Sequence, residues 1–118
     1  MKNLVVLVLL LSITACNNSS YDETLLVGEW KVHTWKIASN GEAINQKMDF
    51  TFDADKKYAV DYGSEKDSGT YYLSGDYLYA KGTNATEISV RLTQLTKDSL
   101  SMEMNRQGRL ENVLLLKK

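Results

Sequence analysis

From residue 28 to the C-terminus the chain alternates apolar and polar positions with a period of two, and short turn-forming stretches interrupt the pattern. Such alternation marks antiparallel strands with one face buried and one exposed. Residues 29–37 are rich in Trp, Val, Thr and Ile. In 47–52 Met48, Phe50 and Phe52 share a face, and in 57–62 Tyr58, Val60 and Tyr62 do so. The runs 68–73 and 77–80 are short and aromatic-rich, with Tyr71 and Leu73 on one side of the first. In 87–92 Ile88, Val90 and Leu92 alternate with Glu87, Ser89 and Arg91. In 100–105 Leu100, Met102 and Met104 alternate with Ser101, Glu103 and Asn105, and 109–116 is the last run. The fourteen apolar residues named from 47–105 form the expected interior, and with it the expected lining of a ligand cavity.

The gaps carry turn chemistry. Asp53 to Lys56 and Ser74-Gly75-Asp76 read as tight turns, with Gly75 available for positive φ. Thr96 to Asp98 and Gln107-Gly108 join the last three strands, and 39–42, 63–67 and 82–84 are longer loops. No stretch holds a helical period over ten residues, although 21–26 can form one helical turn. Eight strands at this spacing predict an all-β, antiparallel, up-and-down barrel in one domain. Closure removes the strand edges that invite aggregation. The absence of Pro suits strands paired on both sides.

The N-terminus follows a different rule. Lys2 precedes an unbroken apolar run, Leu4 to Leu11, and then Ser12-Ile13-Thr14-Ala15-Cys16. A charged start, a short apolar run and small residues describe a signal peptide, and the run falls short of the ~20 residues that span a bilayer. Ile13-Thr14-Ala15-Cys16 resembles the bacterial lipobox. The resemblance implies cleavage before Cys16 and acylation of Cys16 with diacylglycerol and, commonly, a further palmitate-like chain. Two or more acyl chains anchor stably where one does not. The expected organisation is a signal peptide over 1–15, an acylated Cys and flexible tether over 16–24, and the barrel over 25–118. The lone Cys excludes an intrachain disulfide and multi-Cys zinc sites. Asp22-Glu23 lies several positions beyond Cys16, and in some Bacteroidetes-type lipoproteins acidic residues just after the acylated Cys accompany export to the cell surface. The implied location is the cell envelope, with the lipid in the outer membrane and the domain on its periplasmic face or at the surface.

Gly28-Glu29-Trp30 at the start of an eight-strand meander resembles the lipocalin Gly-x-Trp signature. Phe50-Thr51-Phe52 with Asp53, Asp55 and Tyr58, then Gly69-Thr70-Tyr71, Gly75-Asp76 and the stretch 92–100, is similar in order to the lipocalin-like domains of Bacteroidetes lipoproteins. In lipocalins Trp seals one barrel end, and an Arg from the last strand region packs over it. The resemblance therefore implies Gly28, Trp30 and Arg109 as the barrel-closing group, with Arg91 the second choice for the cation. The open end would lie opposite Trp30, rimmed by 39–42 and 63–67.

Charge adds exclusions. Fourteen basic and fifteen acidic residues give a formal net charge of −1, and no basic cluster exceeds a pair. That is a poor footprint for nucleic acid. His33 is the only His, so neither a zinc site nor a His-based triad is expected, and it reads as a strand His. Asp53 and Asp55 lack the calcium-loop pattern and read as turn formers. No carboxylate pair is privileged for hydrolysis. Five Tyr lie from Tyr62 to Tyr79. They fit cross-strand pairing, while an outward aromatic stripe is the alternative. Asp98-Ser99-Leu100 resembles the Bacteroidetes O-glycosylation site, with Ser99 as acceptor. The expected function is non-catalytic binding of a small apolar or amphipathic molecule in the barrel mouth. It needs no cofactor or metal, and the membrane is contacted through lipid on Cys16. A filled barrel that binds an envelope protein or glycan by its outer face or loops is the second expectation.

Overall fold

Eight strands form: β1 (Gly28–Ile37), β2 (Asp49–Phe52), β3 (Lys57–Asp61), β4 (Lys66–Ser74), β5 (Tyr77–Gly82), β6 (Glu87–Leu95), β7 (Ser99–Arg106) and β8 (Arg109–Lys117). Each pairs antiparallel with the next, and β1 pairs with β8, so the sheet closes on itself as a barrel. The protein is described by a computed structural model covering residues 20–83 and 87–118. The expected up-and-down topology is the one observed. Strands β4, β5 and β6 run one or more residues beyond the sequence pattern at one or both ends.

Register defines the two ends. Gly28 lies opposite Phe52 and Trp30 opposite Lys117, while at the far end of β1 Ile37 lies opposite Glu111. The turns after β2, β4 and β6 therefore share the Trp30 end, the floor. Segment 38–48 and the β3–β4 and β7–β8 turns share the other end, the mouth. Asp53 shapes a floor turn by accepting from the Asp55 and Lys57 amides at 2.9 and 3.0 Å, which leaves its carboxylate committed to the backbone.

Two β-bulges set which residues face inward. Trp30 and Trp35 are five positions apart and would face opposite sides of a regular strand. The β1–β8 register shifts between Val32 and Thr34, so His33 is the extra residue and both Trp side chains enter the core, 0% and 3% exposed. The same device between Leu92 and Gln94 lets Leu92 and Leu95, three apart, both be buried. Period two alone misses these inward residues.

The floor is covered by the segment preceding β1. Ser20 donates its amide to the Gly75 carbonyl at 2.7 Å, and the Tyr21 hydroxyl donates to the Leu92 carbonyl at 3.2 Å. A 3-10 turn, Glu23–Leu26, follows and buries Leu26 completely. Glu23 accepts from the Leu73 amide at 3.3 Å and pairs with Lys56. Residues 20–24, which fall in the span expected as a tether, are fastened to the barrel by hydrogen bonds and apolar burial. Cys16 and the signal-peptide residues lie outside the described residues.

Candidate functional site at the barrel mouth

Most of the expected lining is core. Met48, Phe52, Tyr58, Val60, Tyr71, Leu92, Leu100 and Met102 are buried and pack in one cluster with Leu26, Trp30, Trp35, Leu78, Val113 and Leu115. Phe50, Tyr62, Leu73, Val90 and Met104 are half-buried against that cluster. Tyr71 donates its hydroxyl to the Asp53 carbonyl at 2.8 Å near the floor. Burial, with Glu23 and Asp53 nearby, pushes its phenol up to about 12, so it stays neutral. These side chains fill the barrel from Trp30 upward.

Ile88 departs from expectation. Its register partner Ala80 is buried, which puts Ile88 on the inward side of β6, yet Ile88 is 51% exposed. The reason lies in the ladder between β6 and β7. It runs from Leu95↔Leu100 only to Arg91↔Glu103, although β6 begins at Glu87 and β7 ends at Arg106. Toward the mouth the two strands part. Glu87 to Val90 pair with β5 alone, and Met104 to Arg106 pair with β8 alone. A comparable gap beside β1 is covered: Ala43 bridges to Lys36, and the Ile44 amide donates to the Trp35 carbonyl at 2.8 Å. No described segment covers the β6–β7 gap in this way.

A polar cluster occupies the same end. Glu111 is fully buried on the inward face of β8. Its Oε1 accepts from Trp35 Nε1 at 2.9 Å, and its Oε2 accepts from Arg109 Nε and Nη2 at 2.8 and 2.6 Å. Arg106 Nε lies 3.4 Å from Oε1, and its guanidinium sits 5.4 Å over the Trp35 ring. Burial alone pushes the Glu111 pKa up. The bonds from Trp35 and Arg109, with the two guanidinium charges, outweigh burial and hold the carboxyl below its ordinary value. Tyr62 reaches the same region: burial first, then Asp67, raise its phenol, and the Arg106 charge opposes them. Asp67 itself is engaged, accepting from the Ser68 amide at 2.9 Å and the Thr83 hydroxyl at 3.1 Å.

Arg109 is therefore not the cation over Trp30. Strand β8 starts at the mouth with Arg109 and ends at the floor with Lys117, so Arg109 meets Glu111 instead. Lys117 takes the floor position: its Nζ lies 5.1 Å from the Trp30 ring centroid and donates to the Leu25 carbonyl at 3.3 Å. Trp30 Nε1 donates to the Leu26 carbonyl at 2.8 Å. Gly28 holds φ at +136°, and a Cβ there would stand 2.9 Å from Lys117 Cε, so glycine answers both the backbone and the neighbour. Arg91, the second choice, pairs with Asp76 at 3.2 Å on the outside. His33 is exposed at its bulge. Ser99 is half-buried, with its hydroxyl 2.8 Å from that of Thr96. Among the described residues no group of His, Cys, Asp and Glu could hold a metal ion.

Glu111 and Arg106 escaped the sequence pattern because polar residues in a strand read as outward. The available signal was Arg109-x-Glu111-x-Val113-x-Leu115, a single face that passes from charged to apolar along β8.

The barrel with its Gly-x-Trp floor agrees with the comparison with known families. The lipocalin-like domain model matches residues 26–102. The chain belongs to the lipocalin-like domain family. Crystal structures from two Bacteroides species share the fold of this lipocalin-like protein. A lipocalin-like protein from Bacteroides uniformis matches with TM-score 0.63 at 15% identity, over 80% of this chain and 99% of that one. An uncharacterized protein from Bacteroides eggerthii matches with TM-score 0.62 at 13% identity, over 79% and 99%. No curated protein sequence matches the chain significantly.

Proposed function

We propose that this lipocalin-like protein is a lipid-anchored envelope protein that binds a small amphipathic molecule at its barrel mouth without transforming it. The observation that carries this reading is the inward-facing Ile88, left 51% exposed where β6 and β7 part. Val90, two residues along the same face of β6, and Met104, on the inward face of β7, are half-buried against the core. Covering such surface yields roughly 25 cal/mol per Å² of apolar area, and Met side chains adapt to varied shapes. Because the lower barrel is filled, the ligand sits in the mouth and does not traverse the interior.

The lipobox supplies the anchor in this proposal. Ser20 lies four steps along the chain from Cys16, a reach of at most about 14 Å. Ser20 is bonded to the floor turn at Gly75. Acylation would thus hold the floor toward the bilayer and turn the mouth away from it. Cys16→Ala is expected to move the protein from the membrane fraction to the soluble fraction and leave the precursor uncleaved. Normal processing with full membrane retention contradicts the anchor.

Native mass spectrometry of protein made in its own host tests the binding reading. An added small-molecule mass that Ile88→Asp removes is the expected result. A second reading has one observation behind it: Tyr72 and Tyr79 stack at 4.9 Å on the outer face, with Tyr72 48% exposed. A ligand mass lost on Tyr72→Ala, and kept in Ile88→Asp, would favour that face.

A further inference from the structure

The mouth carries more positive charge than its buried carboxylate neutralises. Arg106 and Arg109 face each other across the β7–β8 hairpin, on the same side of the sheet as Glu111. Like charges directly opposite one another destabilise a strand pair. Here a single carboxylate lies between two guanidiniums, Oε1 toward Arg106 and Oε2 toward Arg109. The cluster therefore keeps a net charge of about +1, since guanidinium stays protonated and Glu111 ionised.

The donors show the same excess. A guanidinium has five N–H donors. Arg109 commits Nε and Nη2 to Glu111, and Arg106 meets it only as an ion pair at 3.4 Å, so both retain N–H groups for another acceptor. Both side chains are about half exposed, at 45% and 49%, and a surface concavity lined by Arg106, Gln107 and Arg109 opens beside them. Their forks are held in place from behind, by the buried carboxylate and by the Trp35 ring under Arg106. Fixed forks with free donors match the geometry of carboxylate and phosphate.

Apolar surface adjoins this charge. Where the β6–β7 ladder ends at Arg91↔Glu103, the inward positions on either side of the gap are Ile88 and Val90 on β6 and Met104 and Arg106 on β7. The other acid on the inner face near the mouth, Asp67, keeps its charge but stands on β4 with Oδ1 bound to Ser68 and Thr83, and neither arginine is paired with it.

We propose, resting on the mouth-binding reading above, that the ligand is an anionic amphiphile, with its carboxylate or phosphate held by Arg106 and Arg109 and its apolar portion on Ile88, Val90 and Met104 in the β6–β7 gap. The ligand chemistry is set by one acidic head on a short apolar body.

Four probes of equal chain length separate the possibilities: dodecanoate, dodecyl phosphate, dodecanol and dodecyltrimethylammonium, titrated below their micellar concentrations against Trp fluorescence. The two anions are expected to bind at least about tenfold more tightly than the alcohol or the cation, a gap of roughly 1.4 kcal/mol. A preference for only one anion identifies the head group. Arg106→Gln is expected to erase most of the difference while leaving the alcohol's affinity within about twofold, because it removes a charge and leaves the apolar surface in place. Because Arg109→Gln alone strands the buried Glu111, the second variant is Arg109→Gln with Glu111→Gln, checked for folding by circular dichroism, and it is expected to weaken anion binding too. Equal binding of all four probes overturns the anion proposal and leaves mouth binding standing. Binding of none overturns both. Anion preference that survives both variants also overturns the proposal.

Discussion

Glu111 puts a carboxylate where strand alternation calls for an apolar side chain. Its desolvation is offset locally: Trp35 and Arg109 supply the donors that water would otherwise give, and Arg106 adds its charge at 3.4 Å. Glu111→Ala would strand the Trp35 N–H and leave Arg106 and Arg109 in mutual repulsion. Equilibrium denaturation at pH 7 is expected to show a loss of about 1–3 kcal/mol. The pH dependence follows from the depressed pKa. A carboxyl whose folded-state pKa lies below its unfolded value contributes stability above the unfolded value, 4.5, and loses it as pH falls through the folded-state value. Glu111→Gln lacks this contribution at every pH. The stability gap between wild type and Glu111→Gln should therefore be full at pH 7 and narrow below about pH 4.5. A gap that stays constant down to about pH 3 would mean that the ionised carboxylate adds nothing.

Strand β1 shows how one residue controls an element. Its two tryptophans stand at an odd spacing, and only the bulge at His33 lets both enter the core. Deleting His33 would force a choice between Trp30 and Trp35, each nearly fully buried. Exposing one large aromatic costs roughly 3 kcal/mol or more, so the deletion is expected to lower the melting temperature sharply. His33→Ala, which keeps the bulge count, should stay within about 0.5 kcal/mol of wild type. Thermal denaturation of the two variants checks this, and equal melting temperatures would contradict it. The strands themselves were legible because alternation and turn residues are local properties. Bulges were less so, although Trp30 with Trp35 and Leu92 with Leu95 mark them as odd-spaced pairs of core-type residues. Lys117 over Trp30 was hidden for another reason. Which cation reaches the floor depends on the direction and register of β8, and neither is visible in a lone Lys near the chain end.

At the scale of the molecule, the barrel separates two jobs. The floor is sealed by Trp30, Leu26 and the segment from Ser20, while the mouth keeps strand ends paired on one side only, exposed Ile88 and an incompletely neutralised arginine pair. The sequence pattern could place Ile88 on the inward face but not expose it, because exposure arises from where the β6–β7 ladder stops. The most direct test of ligand binding at this mouth is a two-dimensional amide NMR titration of the protein with dodecanoate. Saturable shifts are expected at Ile88, Val90, Met104, Arg106 and Arg109, with the floor around Trp30 unchanged. Shifts confined to Tyr72, Tyr77 and Tyr79 on the outer face, or no saturable shifts at all, would contradict it.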